Sequence, residues 1–198
     1  SNILQIEDEY YAVSRPKSNA VSNQRLTAKL NSTGLDYIEL RSLDLNPFQR
    51  IGIDLDTVHF LELFLIYCTF SSSLPINKGE MEEIKQNDLL VATKGREPGL
   101  VLSKNRTKIS LKNWANEILD EVMLIAELLG NKTTTYTNIV HKLSTQIMDQ
   151  EQTLSAMLLN KIQTEKLSVD ELGRSMGVFY KNQYVSMEKF ENSEWSLL

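Results

Sequence analysis

The sequence predicts an α+β chain in which antiparallel strands come first and a mainly helical region follows. Over residues 1–53 apolar residues recur with a period of two, the signature of strands, and from about Asp56 the period becomes 3.6, the signature of helices. The 198 residues are 41 % hydrophobic and 24 % charged, which suits an ordinary globular protein able to bury one sizeable core. The expected division is residues 1–53, strands with a connecting loop, and residues 54–198, a helical region packing behind the sheet.

Ile3, Leu4 and Ile6 open the first strand signal, and Tyr10, Tyr11 and Val13 continue it, with Arg15-Pro16 expected to stop the ladder because proline donates no hydrogen bond. Lys17 to Ser32 reads as a long polar loop holding a short helix around Arg25 to Leu30. The stretch YIELRSLDLNPF, Tyr37 to Phe48, then alternates so that Glu39 and Arg41 share one strand face. Asp44, Asn46 and Pro47 end that strand, since Asp and Asn favour turns.

Asp56 is expected to cap a helix running to about Phe70, apolar on almost every side, and SSSLP from Ser71 to Pro75 ends it. A shorter helix near Glu80 to Val91 precedes GREPGLVL, read as a turn into a brief extended segment. The strongest amphipathic stripe runs Leu111, Trp114, Ala115, Ile118, Val122, Ile125, Ala126 and Leu129, with Gly130-Asn131 as its stop. Tyr136 to Ile147 and Leu154 to Ile162 mark two more helices. The last begins at Ser168 with Glu171 three residues on, a capping box, and runs through Leu172, Met176, Phe179, Tyr180 and Met187.

The net charge of -5 and pI near 5.2 argue against nucleic-acid and anionic-membrane surfaces. A single cysteine, Cys68, makes no internal disulfide; it is expected to be a buried thiol in a reduced, cytoplasmic setting. Its segment, VHFLELFLIYCTF, falls short of the roughly 20 apolar residues a membrane helix needs. His59 and His141 stand alone, without zinc-ligand spacing. No GxxxxGK[ST] loop, GxGxxG turn, GxSxG elbow or paired CxxC is present, so any ATP chemistry uses another architecture. The chain starts at Ser1 with a strand already in progress and shows no signal peptide, which suggests a carboxy-terminal piece of something longer.

Glu39 and Arg41 leave two readings open. An acid and a base two apart on a strand can form a solvated surface pair, contributing about 0 to 1 kcal/mol. They can also form a catalytic floor, with the carboxylate on a metal and the guanidinium on a phosphate.

NILQIEDEYYAVSRPK, followed 28 residues after Tyr11 by Glu39 in YIELRSLDLNPFQRIGI, resembles the carboxy-terminal part of the proteobacterial type of glutamate–cysteine ligase. Weaker similarity continues after Asp54, through GREPGL and through TLSAMLL, Thr153 to Leu159. The resemblance implies a glutamine-synthetase-like fold, whose antiparallel sheet floors an active site with helices behind it. It implies that both regions are one fragment of a larger catalytic domain. The implied activity is ATP-dependent joining of the γ-carboxylate of glutamate to the amine of cysteine, the first step of glutathione synthesis, through γ-glutamyl phosphate.

By the same resemblance Glu39 matches a magnesium ligand, Arg41 an arginine facing the transferred phosphoryl group, and Tyr11 a tyrosine that binds cysteine. Arg15 is a candidate second contact to the nucleotide anion. Lys17, Asp44 and Asn46 fall in matching stretches without assigned roles, Asp44 and Asn46 reading as turn residues. The implied partners are glutamate, cysteine, ATP with Mg2+, and an amino-terminal part of the same chain that supplies most metal carboxylates, so this piece alone is expected to be inactive. Two other readings stay open: another carboxylate–amine ligase of the same fold, and a non-catalytic helical interaction module.

Overall fold

The computed structural model describes residues 12–19, 25–130 and 135–187. They fall into two units, one ending at Leu45 and one beginning at Asn46. In the first, β1 (Ser14–Lys17) and β2 (Tyr37–Leu40) pair antiparallel, and α1 (Leu26–Thr33) lies between them in sequence. The strand expected over Ile3 to Ile6, together with Tyr10 and Tyr11, lies outside the described residues.

The expectation that Arg15-Pro16 ends the ladder is corrected, because β1 runs through Pro16, opposite Ile38. Arg41 N donates to Val13 O at 2.8 Å, which makes residues 13 and 41 a hydrogen-bonded pair. Such pairs alternate with non-bonded ones in an antiparallel ladder, so Pro16–Ile38 falls on a non-bonded position. Its missing N–H therefore costs the ladder nothing. α1 matches the short helix expected near Arg25 to Leu30, and Gly34, at φ 81°, closes it by donating to Leu30 O. The positive φ is one that glycine adopts without strain.

The second unit is helical around one β-hairpin. α2 (Leu55–Phe70), α4 (Leu111–Leu129) and α5 (Thr135–Met148) pack together over Leu63, Leu119, Val122, Ala126 and Val140. α2 turns Phe60, Leu63, Phe64 and Tyr67 into this core, the i, i+3, i+4, i+7 stripe of a half-buried helix. Cys68 follows Tyr67 and is rotated about 100° from it, at the edge of the stripe in the last turn of the helix. It is exposed, which corrects its placement as a buried thiol. The cap of α2 is also corrected. Asp54, not Asp56, accepts from Thr57 N at 2.8 Å and Thr57 Oγ1 at 2.6 Å, while Asp56 pairs with Lys142.

α3 (Lys78–Lys94) is longer than expected, beginning at an Asn77 cap. The extended segment after GREPGL is β3 (Val101–Lys104), and it returns as β4 (Thr107–Ser110), a partner the sequence reading missed. Asn105 and Arg106, at φ 52° and 63°, form the two-residue turn with both central residues left-handed that suits strand twist. α3 completes the outer edge of β3 through a side chain: Asn87 Nδ2 donates to Ser103 O at 2.7 Å and Asn87 Oδ1 accepts from Ser103 N at 3.0 Å.

Ser110 caps α4, and Gly130 closes it, the stop that was expected there. α6 (Leu154–Glu165) and α7 (Val169–Ser186) follow, and the Ser168–Glu171 capping box is formed in both directions. Asn46 sets the turn after β2's connection, with its Oδ1 accepting from Phe48 N at 3.0 Å. No described helix is long and apolar enough to cross a membrane.

Candidate functional site

Because β1 continues through Pro16, the register sets Arg15 opposite Glu39 and Lys17 opposite Tyr37. Side chains directly opposite share a face, and that face also takes Arg41, two residues after Glu39. Three cations, one carboxylate and a phenol thus gather on one side of a two-stranded ribbon. Ser14, Pro16, Ile38 and Leu40 face the other side.

Glu39 is the centre of this group. Arg41 Nε donates to Oε1 at 2.8 Å and Arg41 Nη2 to Oε2 at 3.1 Å, a two-pronged contact matched to the planar guanidinium. Lys17 Nζ reaches Oε2 at 3.0 Å from the opposite strand. Side-chain exposures of 28 % for Lys17, 35 % for Glu39 and 21 % for Arg41 make this an open but partly shielded cluster. The hydrogen bonds from Arg41 and Lys17 draw the Glu39 carboxyl down from 4.5 to about 2, against an opposing push from desolvation.

The structure therefore brings together Glu39, Arg41 and Arg15 of the residues singled out from sequence. Tyr11 lies outside the described residues. Lys17, expected to begin the loop after Arg15-Pro16 and given no role, stands instead on the face of Arg15, because SRPK alternates straight through the proline. Asp44 is exposed in the segment after β2, and Asn46 makes the turn.

An anion suits this face, since the cations outnumber the single carboxylate. Magnesium does not find a complete site here. It takes about six oxygen ligands in octahedral geometry, whereas Glu39 is one carboxylate whose two oxygens already accept N–H donors. Among the described residues no group of three His, Cys, Asp or Glu side chains is placed to hold a metal. Glu39, ionised well below neutral pH, has the charge and hardness of a single oxygen ligand and no more.

The second unit holds an apolar cavity of about 460 Å³ against Phe60, Phe64, Ile118, Leu143 and Ile147. Its mainly apolar walls lack the convergent charges that phosphate chemistry requires, so the strand face is the stronger candidate.

The family model for glutamate–cysteine ligase matches residues 1–91, the part of the chain that holds this face. The chain is 45 % identical over 129 residues to the glutamate–cysteine ligase of Pseudomonas aeruginosa strain UCBPP-PA14. This chain is a relative of the glutamate–cysteine ligases. To the glutamate–cysteine ligase of Aliivibrio fischeri it is 40 % identical over 163 residues, 80 % of this chain. It spans 24 % of the Pseudomonas relative and 31 % of the Aliivibrio one.

Its fold agrees with the crystal structure of the Francisella tularensis glutamate–cysteine ligase in complex with AMP, at a TM-score of 0.84 and 32 % identity. That match covers 93 % of this chain and 36 % of that one. A bifunctional glutathione synthetase from Pasteurella multocida shares the fold, with a TM-score of 0.64 and 24 % identity over 89 % of this chain and 22 % of that one.

Proposed function

We propose that this chain is part of a glutamate–cysteine ligase, and that in the longer protein it helps join the γ-carboxylate of glutamate to the amine of cysteine at the expense of ATP. The observation that carries this is the cluster of Glu39, Arg41 and Lys17 on one strand face, inside the stretch that the family model matches. The AMP held by the Francisella relative supports a nucleotide as co-substrate.

The chemistry needs activation because a carboxylate is a poor acyl donor. A γ-carboxylate oxygen attacks the terminal phosphorus of ATP, the bond to the bridging oxygen breaks, and ADP leaves with that electron pair. The cysteine amine then attacks the acyl carbon, phosphate departs with the bonding pair, and the amine proton passes to solvent or a base. Arg41 faces the transferred phosphoryl group, where a forked cation spreads its donors over equatorial oxygens. Arg15 gives a second cationic contact to the nucleotide. Tyr11 binds the cysteine substrate through its phenol.

Glu39 supplies one oxygen to Mg2+, which when bound neutralises phosphate charge. The remaining ligands, the glutamate pocket and much of the nucleotide site come from an amino-terminal part of the longer protein, so the 198 residues alone are inactive. Both units belong to one catalytic domain of a cytoplasmic enzyme.

The test is ADP release by the longer protein with glutamate and a series of amine acceptors. Cysteine is expected to be preferred. Preference for a different amine would make it another carboxylate–amine ligase, and ADP release by the 198-residue chain alone would overturn its assignment as part of a site.

A further inference from the structure

Lys17 is the one member of the Glu39 cluster that comes from the other strand and carries no assigned role. Arg41 sits two residues from Glu39 on β2, and its two bonds tie the pair to each other within that strand. Glu and Arg have long, torsionally free side chains, and holding them costs entropy that a third contact must offset. Lys17 provides that contact across the ladder. Its Nζ meets Glu39 Oε2 at 3.0 Å, the same oxygen that receives Arg41 Nη2 at 3.1 Å.

The ribbon geometry permits this only because Pro16 occupies a non-bonded ladder position. Were β1 to end at Arg15, residue 17 would not face Glu39. The register thus spends a proline, the residue least suited to a strand, between two cations that both face the carboxylate.

The geometry points to Lys17 as a positioning residue that acts through Glu39, tying the Glu39–Arg41 pair to β1 and so fixing the plane of the Arg41 guanidinium. This rests on the reading of Arg41 and Glu39 as site residues. Preorganisation of this kind acts on the chemical step, because a charge held in place need not be oriented in the transition state. It predicts an effect on kcat larger than on KM.

The experiment measures kcat and KM for ATP, glutamate and cysteine in the longer protein, comparing wild type with Arg41→Ala, Lys17→Met and Lys17→Arg, alongside each variant's thermal midpoint. Lys17→Met is expected to lower kcat about 10-fold or more, the scale on which partners of site ligands act, with KM changed far less. Lys17→Arg, which restores the cross-strand cation, recovers most of that loss. The midpoints of both Lys17 variants stay near wild type, since the pair is partly exposed.

Wild-type kcat in Lys17→Met, beside an impaired Arg41→Ala, overturns the role of Lys17 and leaves the ligase reading standing. A loss in Lys17→Met that Lys17→Arg does not restore, accompanied by a fall in midpoint, also overturns it, in favour of plain packing. An unaffected Arg41→Ala, or a wild type without ligase turnover, overturns the underlying reading instead.

Discussion

Arg41 holds Glu39 with both arms of its fork, Nε at 2.8 Å from one carboxylate oxygen and Nη2 at 3.1 Å from the other. The contact makes the carboxylate's charge conditional on its neighbours. Its folded-state value, about 2, lies below the ordinary 4.5, so the ionised cluster stabilises the fold above pH 4.5 and that contribution fades as pH falls toward 2. A carbon-detected NMR titration of the Glu39 carboxyl in the 198-residue chain is expected to give a midpoint near 2, and Lys17→Met is expected to raise it. A wild-type midpoint at the ordinary value would mean the cluster does not form in solution.

Asp54 and Asp56 provide a sharp comparison, because one caps α2 and the other makes an exposed ion pair with Lys142. Asp54→Ala removes an acceptor for the Thr57 N–H and is expected to cost about 1 kcal/mol. Asp56→Ala is expected to cost about 0 to 1 kcal/mol, since exposed pairs contribute little. Chemical denaturation of both variants checks the order, and a larger loss at Asp56 would reverse the assignment of the cap.

Asn87 stands in for a missing strand by serving both the N–H and the C=O of Ser103. Asn87→Leu leaves both groups unpaired in a part-buried place and is expected to cost about 1 to 3 kcal/mol. Amide exchange at Ser103 should quicken in the variant; unchanged exchange would show that the strand edge is held by something else.

Cys68 tests the corrected face of α2. An exposed thiol is expected to take up one equivalent of a thiol reagent in the folded chain, where a core thiol would need unfolding first. Partial desolvation pushes its pKa up, so the rate should rise over a higher pH range than for a free thiol. Labelling only in denaturant would return Cys68 to the interior.

Much of the helical region was legible because burial imposes a period. The Ser168–Glu171 box formed as expected, and the stripe of α4 holds except that Leu119, left off it, is buried and Leu129, placed on it, is exposed; each depends on residues within a few positions of one another. Asp54 was missed because Asp54 and Asp56 both suit a cap, and only backbone geometry decides which side chain meets Thr57. β4 was missed since Thr107 to Ser110 is a short stretch whose partner and turn residues define it more than its own pattern does.

The site shows the same limit. Glu39 and Arg41 were visible because strand alternation is local, whereas Lys17 depended on Pro16 falling in a non-bonded register. That register is a property of the pair, not of either strand.

Arg41 tests most directly whether the β1–β2 face forms part of a phosphoryl-transfer site. Single-turnover formation of ADP by the longer protein, with glutamate and cysteine saturating, isolates the chemical step. Arg41→Ala is expected to slow it by a factor on the order of 10² or more, as when a preorganised charge contact to the transition state is lost. A rate within a few-fold of wild type would leave Glu39, Lys17 and Arg41 as a surface ion cluster with no part in the chemistry.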